Sequence, residues 1–245
     1  MNVRRDARVR ELLLDRPRVR NALDLATTER LLGELDDAAA DDRTAVVLLR
    51  GEGVGFCAGS DVKEMAQADL ETRVRIAGRK AVLMRRLAQL ERPVVAAVHG
   101  FALGGGFMLA IGCDVVVTAA DATWRLPEVE LGFFPPWGLE ALLARVSVAR
   151  ARRLVWGETP LSGAEAARLG LADEATPADQ TLARARALAQ RLAALPAGSV
   201  RATKRFFGQH GPTQGTQGLD AVAREAYRAN CEDGAAEATF RRLRG

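Results

Sequence analysis

Two glycine-rich segments follow short apolar runs in this chain of 245 residues. The first covers residues 56–65 (FCAGSDVKEM) and the second covers residues 99–106 (HGFALGGG). Each pattern predicts a strand that opens into a turn whose bare backbone can approach a ligand closely. A helix beginning at Gly104 would direct free N–H groups and the positive end of its dipole at developing negative charge. The two turns therefore predict a backbone site for an oxyanion, a chemistry that needs no metal, nucleophilic side chain or redox cofactor.

Composition bounds the class of protein. With 48% hydrophobic residues, the chain is long enough to bury the core of one domain. Its three cysteines, Cys57, Cys113 and Cys231, have no paired CxxC spacing, which argues against a disulfide framework and a structural zinc site. The charged N-terminus and the lack of an apolar run of about 20 residues argue against secretion and membrane insertion. We expect a cytoplasmic protein that has no membrane partner.

The formal net charge is +4 and the sequence pI is about 9.4. Because the arginines are interleaved with acidic residues and alanines, we expect a solvated basic surface and no nucleic-acid partner. A few basic side chains are available to contact a phosphorylated ligand.

The spacing of apolar residues divides the chain into two parts. The first part alternates strands and helices, and its continuous Val, Ile and Leu runs predict strands covered on both faces. The predicted strands are 9–14, 45–49, 93–98 and 114–118, and the predicted helices are 24–40 and 73–90. From Gly138 onward the spacing is helical, with a loop predicted over 209–218 ahead of a last pair of helices. A helical tail without its own core is typical of a subunit contact.

Four groups of residues occur in an ordered spacing. They are Pro17 with Asn21, Ala22 and Leu23; the 56–65 segment; Gly100 with Gly104, Gly105, Gly106, Cys113 and Asp114; and Pro127 and Glu128 with Gly132 and Pro135. Together they resemble the signatures of the enoyl-CoA hydratase/isomerase (crotonase) superfamily over nearly the whole chain.

The resemblance implies an α/β fold, a crotonase-like spiral of ββα turns with a C-terminal helical trimerisation region. The core with its acyl-CoA site is predicted over residues 1–190 and the helical region over 191–245. A homotrimer or homohexamer is implied, with an acyl-CoA thioester as substrate and no further cofactor. The implied oxyanion donors are the N–H groups of Ser60 and Gly105, each worth about 3 kcal/mol of transition-state stabilisation. The predicted substrate-binding residues are Ala58, Ser60, Asp61, Val62, Lys63, Gly105, Met108 and Trp137.

Only some of the catalytic acids that the resemblance implies are present in this chain. Hydratases of the family hold water between two glutamates, and this chain has Met108 at the first position and Glu128 at the second. A thioether cannot accept a proton at neutral pH, so a single proton carrier remains. The acid that many family isomerases carry after the proline of the next turn is replaced by Pro136. We therefore predict Glu128 as the catalytic acid and base, with its pKa raised by aromatic neighbours.

Other residues have simpler interpretations. Glu130 and Glu140 are predicted on the surface, His99 in a packing role, and Cys57 as a small buried residue. Trp124, Phe133, Phe134 and Trp137 form either core or the wall of an acyl pocket. Phe240 with its neighbouring arginines is either a frayed helix end or a contact to another subunit's coenzyme site.

The favoured function is enoyl-CoA isomerisation through a thioester enolate. Hydration, or lyase and decarboxylase chemistry on acyl-CoA or acyl-carrier-protein thioesters, passes through the same enolate and stays open. A non-catalytic binding protein with the same fold is the alternative from another class.

Overall fold

The computed structural model describes residues 1–157, 159–210, 216–232 and 234–244. Within these residues the strands are β1 (Asn2–Asp6), β2 (Val9–Leu14), β3 (Val46–Gly51), β4 (Val94–Val98), β5 (Phe101–Leu103), β6 (Val115–Ala119), β7 (Thr123–Arg125), β8 (Leu161–Ser162) and β9 (Glu174–Thr176). The helices are α1 (Leu25–Ala40), α2 (Val62–Gln67), α3 (Leu70–Gln89), α4 (Gly105–Ile111), α5 (Leu139–Arg145), α6 (Val148–Val155), α7 (Gly163–Arg168), α8 (Thr181–Ala193), α9 (Ala197–His210), α10 (Thr216–Glu232) and α11 (Gly234–Arg244).

The larger sheet has six strands in the order β1-β2-β3-β4-β6-β9. All its neighbouring strands are parallel except β1, which pairs antiparallel with β2. Successive side chains of a strand point to opposite faces, and both faces of β3 are covered, which explains why its residues 46–49 are all apolar. Val46 and Leu48 pack with residues of α8, whereas Val47 and Leu49 belong to the cluster that includes residues of α1 and α3.

A smaller sheet has three strands in the order β5-β7-β8 and includes part of the second glycine-rich segment. Its strand β5 follows Gly100 and leads directly into Gly104 and α4. An isolated parallel bridge between Cys57 and Ala102 brings the turn that follows β3 next to β5.

The predicted strands and helices are confirmed in kind, with boundaries that differ by a few residues. Helix α1 begins after Asp24, whose side chain accepts a hydrogen bond from Thr27 N as an N-cap. Strand β1 and helix α2 were not predicted, because β1 is a mostly exposed polar edge and α2 has six residues. The predicted loop over 209–218 is wrong at both ends, since α9 continues to His210 and α10 begins at Thr216; residues 211–215 lie outside the described residues.

The C-terminal helices pack within the chain. Tyr227 of α10 and Phe240 of α11 share an apolar cluster with Met65 of α2 and Ile76 of α3. The prediction of a tail without a core of its own chain is therefore wrong for this pair of helices. Trimerisation and the division at residue 190 stay predictions. None of the helices in the described ranges is long and apolar enough to cross a membrane.

Candidate functional site

The first glycine turn presents the amide of Ser60. Leu23 N donates to Gly59 O at 2.7 Å and Asp61 N donates to Leu23 O at 3.0 Å, so a short parallel bridge holds the residues on either side of Ser60. In such a bridge the amide of the central residue points away from the partner strand. The Ser60 N–H accordingly has no hydrogen-bond acceptor in the described part of the chain.

The second glycine turn presents the amide of Gly105. Gly104 N donates to Arg125 O at 2.8 Å, and Gly105 begins α4, where the first amides of a helix have no partner within the helix. The two turns are joined because Leu103 N donates to Cys57 O at 3.0 Å. Gly59 allows the contact: its φ is +97°, and a Cβ there would lie 3.0 Å from Gly105 N.

The two free amides share one cavity. A Cβ built on Gly105 would lie 3.3 Å from Ser60 N and 2.6 Å from Cζ2 of Trp137. The cavity has a volume of about 130 Å³. Two larger clefts of about 390 and 680 Å³ lie elsewhere along α3, and neither amide lines them. The small cavity is therefore the place where both amides can reach one atom of a ligand.

Glu128 is the carboxylate of this cavity. Its Oε2 is buried and has no hydrogen-bond partner among the described residues, although the residue as a whole is half-buried. Desolvation raises the pKa of Glu128 to about 7, against a smaller lowering by its own backbone amide. No charged neighbour contributes to this pKa shift. The carboxyl group is thus suited to both accept and return a proton near neutral pH.

The C-terminal helices hold the loop that carries Glu128. Asn230 accepts from Phe134 N at 2.7 Å and donates to Gly132 O at 3.0 Å. Thr239 donates to Leu131 O at 2.8 Å. These bonds satisfy backbone groups of an irregular segment and fix the loop that follows Glu128.

The predicted site residues divide into two sets. Most line the cavity: Ala58, Ser60, Val62, Gly105, Met108, Glu128 and Trp137. Asp61 and Lys63 are not among its lining residues. Asp61 instead caps α2 by accepting from Glu64 N and pairs with Arg16, and Lys63 is exposed.

Residues with simpler interpretations also have clear positions. Glu130 is exposed and pairs with Arg125, and Glu140 lines the 390 Å³ cleft. His99 Nε2 lies 2.8 Å from Gly53 O. Burial raises the pKa of the Cys57 thiol to about 12, which leaves it without nucleophilic character.

The aromatic group is split between core and cavity. Trp124 is core, with its Nε1 donating to Thr118 Oγ1 at 3.0 Å, whereas Phe133, Phe134 and Trp137 line the cavity. Phe240 is 2% exposed, stacks on Phe133 and lines the cavity of its own chain. The interpretation of Phe240 as a frayed helix end is therefore corrected, whereas a contact of its neighbouring arginines to another subunit's coenzyme site stays a prediction.

Sequence reasoning missed Lys80, Tyr227 and Asn230. Lys80 and Tyr227 line the cavity, and Asn230 positions its loop. For Lys80 a signal existed, since it lies on the apolar face of α3 with Ile76, Ala77 and Leu87, where a charged residue is out of place. Tyr227 and Asn230 are about 100 residues from the loop that they meet, and their helix has no motif that reports this contact.

Comparisons with known proteins identify the family of the chain. The family model for enoyl-CoA hydratase/isomerase matches residues 4–235. A 2,3-dehydroadipyl-CoA hydratase of Escherichia coli is 36% identical over 84% of this chain and 81% of that protein. A short-chain-enoyl-CoA hydratase of Clostridium acetobutylicum is 31% identical over 84% of this chain and 79% of that one. The crystal structure of an enoyl-CoA hydratase/isomerase from Xanthobacter autotrophicus superimposes with a TM-score of 0.91 at 26% identity, covering 99% and 92% of the two chains. The chain belongs to the enoyl-CoA hydratase/isomerase family and is an acyl-CoA enzyme with the crotonase fold.

Proposed function

We propose that this enzyme moves a proton between carbon atoms of an enoyl-CoA thioester and so shifts its double bond. The observation that carries the proposal is the pair of free amides, Ser60 N–H and Gly105 N–H, in one cavity with the unpartnered carboxyl of Glu128. The two amides polarise the thioester carbonyl, and Glu128 is the proton carrier.

The chemistry has two steps. The Glu128 carboxylate takes the proton from the α-carbon of a β,γ-unsaturated thioester, and the electron pair of that C–H bond moves into the carbonyl to form a dienolate. The amides stabilise the negative oxygen, for which each donor is worth about 3 kcal/mol. Glu128 then returns the proton to the γ-carbon, which leaves the α,β-unsaturated product. A pKa of about 7 matches both directions of this transfer. No redox cofactor or metal takes part.

Met108 favours isomerisation over hydration. It is 1% exposed and lines the cavity, at the position where family hydratases carry their other glutamate. Glu128 is the only carboxylate among the described residues that line the cavity. A water molecule in this cavity would therefore contact one acid, whereas the family hydratases provide two. Transfer of a proton between two carbons of the substrate needs only one acid.

Hydration is the second candidate, because the relatives described above are named as hydratases. An assembly into trimers or hexamers is proposed on the family resemblance alone.

The test is proton exchange in heavy water. Incubated with but-3-enoyl-CoA, the protein is expected to form crotonyl-CoA and to introduce deuterium, both followed by mass spectrometry. Glu128→Gln should lower both rates at least 1000-fold without change in the far-UV circular dichroism spectrum, because the amide cannot carry the proton. The matched control is Glu130→Gln, since Glu130 is exposed and pairs with Arg125 outside the cavity. Retained exchange in Glu128→Gln contradicts the proposed role, and 3-hydroxybutyryl-CoA as the main product would favour hydration.

A further inference from the structure

Lys80 is a buried cation in the wall of the cavity. It lies in the middle of α3, is 1% exposed and lines the cavity together with both amide donors and Glu128. Its Nζ has no hydrogen-bond partner in the part of the chain that the structure describes. A lysine in this state is unusual, because an ammonium group has three donors and is costly to remove from water.

The acids around Lys80 are occupied by other groups. Glu64, Asp61 and Asp24 each attract the ammonium, but none hydrogen-bonds to Nζ. Both carboxylate oxygens of Glu64 accept from Leu25 N at 3.1 Å. Asp61 and Asp24 pair with the guanidinium of Arg16 at 3.3 and 3.0 Å. These acids are therefore committed to holding the first glycine turn and the start of α1.

Two further titratable groups near Lys80, the Cys57 thiol and the Tyr227 phenol, are uncharged at neutral pH. Burial raises the pKa of the Cys57 thiol to about 12 and raises the pKa of the Tyr227 phenol as well. Burial lowers the pKa of Lys80 to about 8, against a smaller opposite effect of the surrounding acids. At neutral pH the side chain is thus mainly a charged ammonium group whose hydrogen-bond donors have no anionic acceptor.

Two observations separate Lys80 from the proton carrier. The pKa of Glu128 is set by burial and its own amide, without a contribution from Lys80. The carboxylates near the first glycine turn and at the start of α1 raise the pKa of Lys80, and Glu128 does not contribute to it. Because Lys80 Nζ has no hydrogen-bond partner among the described residues, the ammonium is available to a ligand.

The rest of the cavity indicates what kind of ligand meets it. Most of the wall is apolar, with Met65, Ala77, Phe133 and Phe134 among its residues. Its volume of about 130 Å³ is close to that of a cavity that holds one benzene molecule, which suits a short acyl group. An apolar side chain at position 80 would suit a plain hydrocarbon acyl chain better than an unpaired charge does.

We propose that the Lys80 ammonium binds a carboxylate carried by the acyl group, so that the preferred substrates are thioesters of short dicarboxylic acids. This inference rests on the proposed function, because it presupposes a thioester in the cavity. The carboxylate supplies the missing acceptor for Nζ, and the two charges form a desolvated pair that discriminates against a methyl terminus.

The experiment compares dissociation constants for pairs of saturated thioesters, which have no double bond to shift or hydrate and which differ only at the acyl terminus. The pairs are succinyl-CoA with butyryl-CoA and glutaryl-CoA with valeryl-CoA, measured by isothermal titration calorimetry at pH 7. The wild-type protein should bind the better-fitting carboxylate of at least one pair 10-fold or more tightly than its methyl partner. In Lys80→Met this ratio should invert, because methionine fills the same space without a charge. Arg75→Met is the matched control: it removes one exposed positive charge from the same helix and should leave the ratio unchanged.

The outcomes separate this inference from the proposed function. If neither member of either pair binds, the thioester function itself fails. If both members bind the wild type equally, only the carboxylate preference is overturned, and this result does not depend on whether the variant folds. If Lys80→Met weakens both members by the same factor, Lys80 acts on the shared coenzyme or on the fold, and the inference is also overturned.

Discussion

The carboxyl group of Glu128 lies against the backbone of Gly104, the residue directly before the free amide of Gly105. A Cβ at Gly104 would lie 2.7 Å from Glu128 Oε1. Gly104 has a φ of +50° as the N-cap of α4, a region that L residues rarely adopt. Gly104, which has no side chain, therefore fixes the separation between the Glu128 carboxyl and the oxyanion donor Gly105 N–H.

A substitution at Gly104 should lower both catalytic activity and stability, and the two effects can be measured separately. We expect Gly104→Ala to lower kcat/KM at least 100-fold, because the methyl group displaces the carboxyl, and to lower the free energy of unfolding by about 1–3 kcal/mol through backbone strain. Gly33→Ala is the control: no atom lies within 4 Å of a Cβ there, and alanine favours the interior of α1 by about 1 kcal/mol. Steady-state kinetics and urea unfolding measure both effects. Full activity in Gly104→Ala would show that the carboxyl does not act from this position.

The pKa of Glu128 predicts how stability changes with pH. The carboxyl group has a pKa of about 7 in the folded protein against an ordinary value of 4.5, so the folded state holds the proton more tightly. Its contribution to stability is complete below pH 4.5, falls as pH rises through 7 and is lost above that value. The difference amounts to at most about 3 kcal/mol. Glu128→Gln should therefore raise Tm at pH 8 relative to wild type and have little effect at pH 4.5. Equal Tm differences at both pH values would show that the carboxyl is not desolvated.

Substitutions at Met108 test whether the presence of a single acid favours isomerisation over hydration. Met108→Glu restores the two-carboxylate arrangement of the family hydratases, and we expect hydration of crotonyl-CoA to increase at least 10-fold. The same change places a second carboxylate near Glu128, where like charges raise one pKa further. Met108→Gln is the control, because it has a similar shape and cannot ionise. The hydration rates of the two variants are compared by measuring the decrease in absorbance of the enoyl thioester. Equal rates would show that the second acid does not explain the difference.

The sequence predicted the chemistry that depends on local backbone and missed the chemistry that depends on distant contacts. The two glycine turns were predicted because they follow apolar runs, which is a local pattern. The roles of Ser60, Gly105 and Glu128 were predicted from the resemblance to the family signatures, which are also local in sequence. Asn230 and Tyr227 were missed because their roles arise only when α10 packs on the segment near Glu128. Phe240 was misinterpreted for the same reason. Lys80 was visible as a charge on an apolar face of α3, but its meaning depends on the cavity, which is formed by residues spread over more than 180 positions.

Asn230 tests whether the C-terminal helices position the catalytic carboxyl. Its amide group binds Phe134 N and Gly132 O, so Asn230→Leu leaves a donor and an acceptor of this loop unpaired at a cost of about 1–3 kcal/mol for each group that stays buried. We expect kcat to fall at least 10-fold while the oxyanion site is untouched. Asn230→Asp keeps an acceptor for Phe134 N and should retain more activity than Asn230→Leu.

The control for Asn230 lies on the same helix. Arg228→Met removes an ion pair with the exposed Glu71 and should change stability by less than about 1 kcal/mol and kcat by less than 2-fold. Deuterium exchange into a saturated thioester, measured beside Tm, distinguishes a displaced carboxyl from a general loss of fold. If Asn230→Leu lost stability but exchanged deuterium at the wild-type rate, the loop would hold Glu128 without help from α10, since the turn bonds from Leu131 N to Pro127 O and from Phe133 N to Glu128 O would suffice.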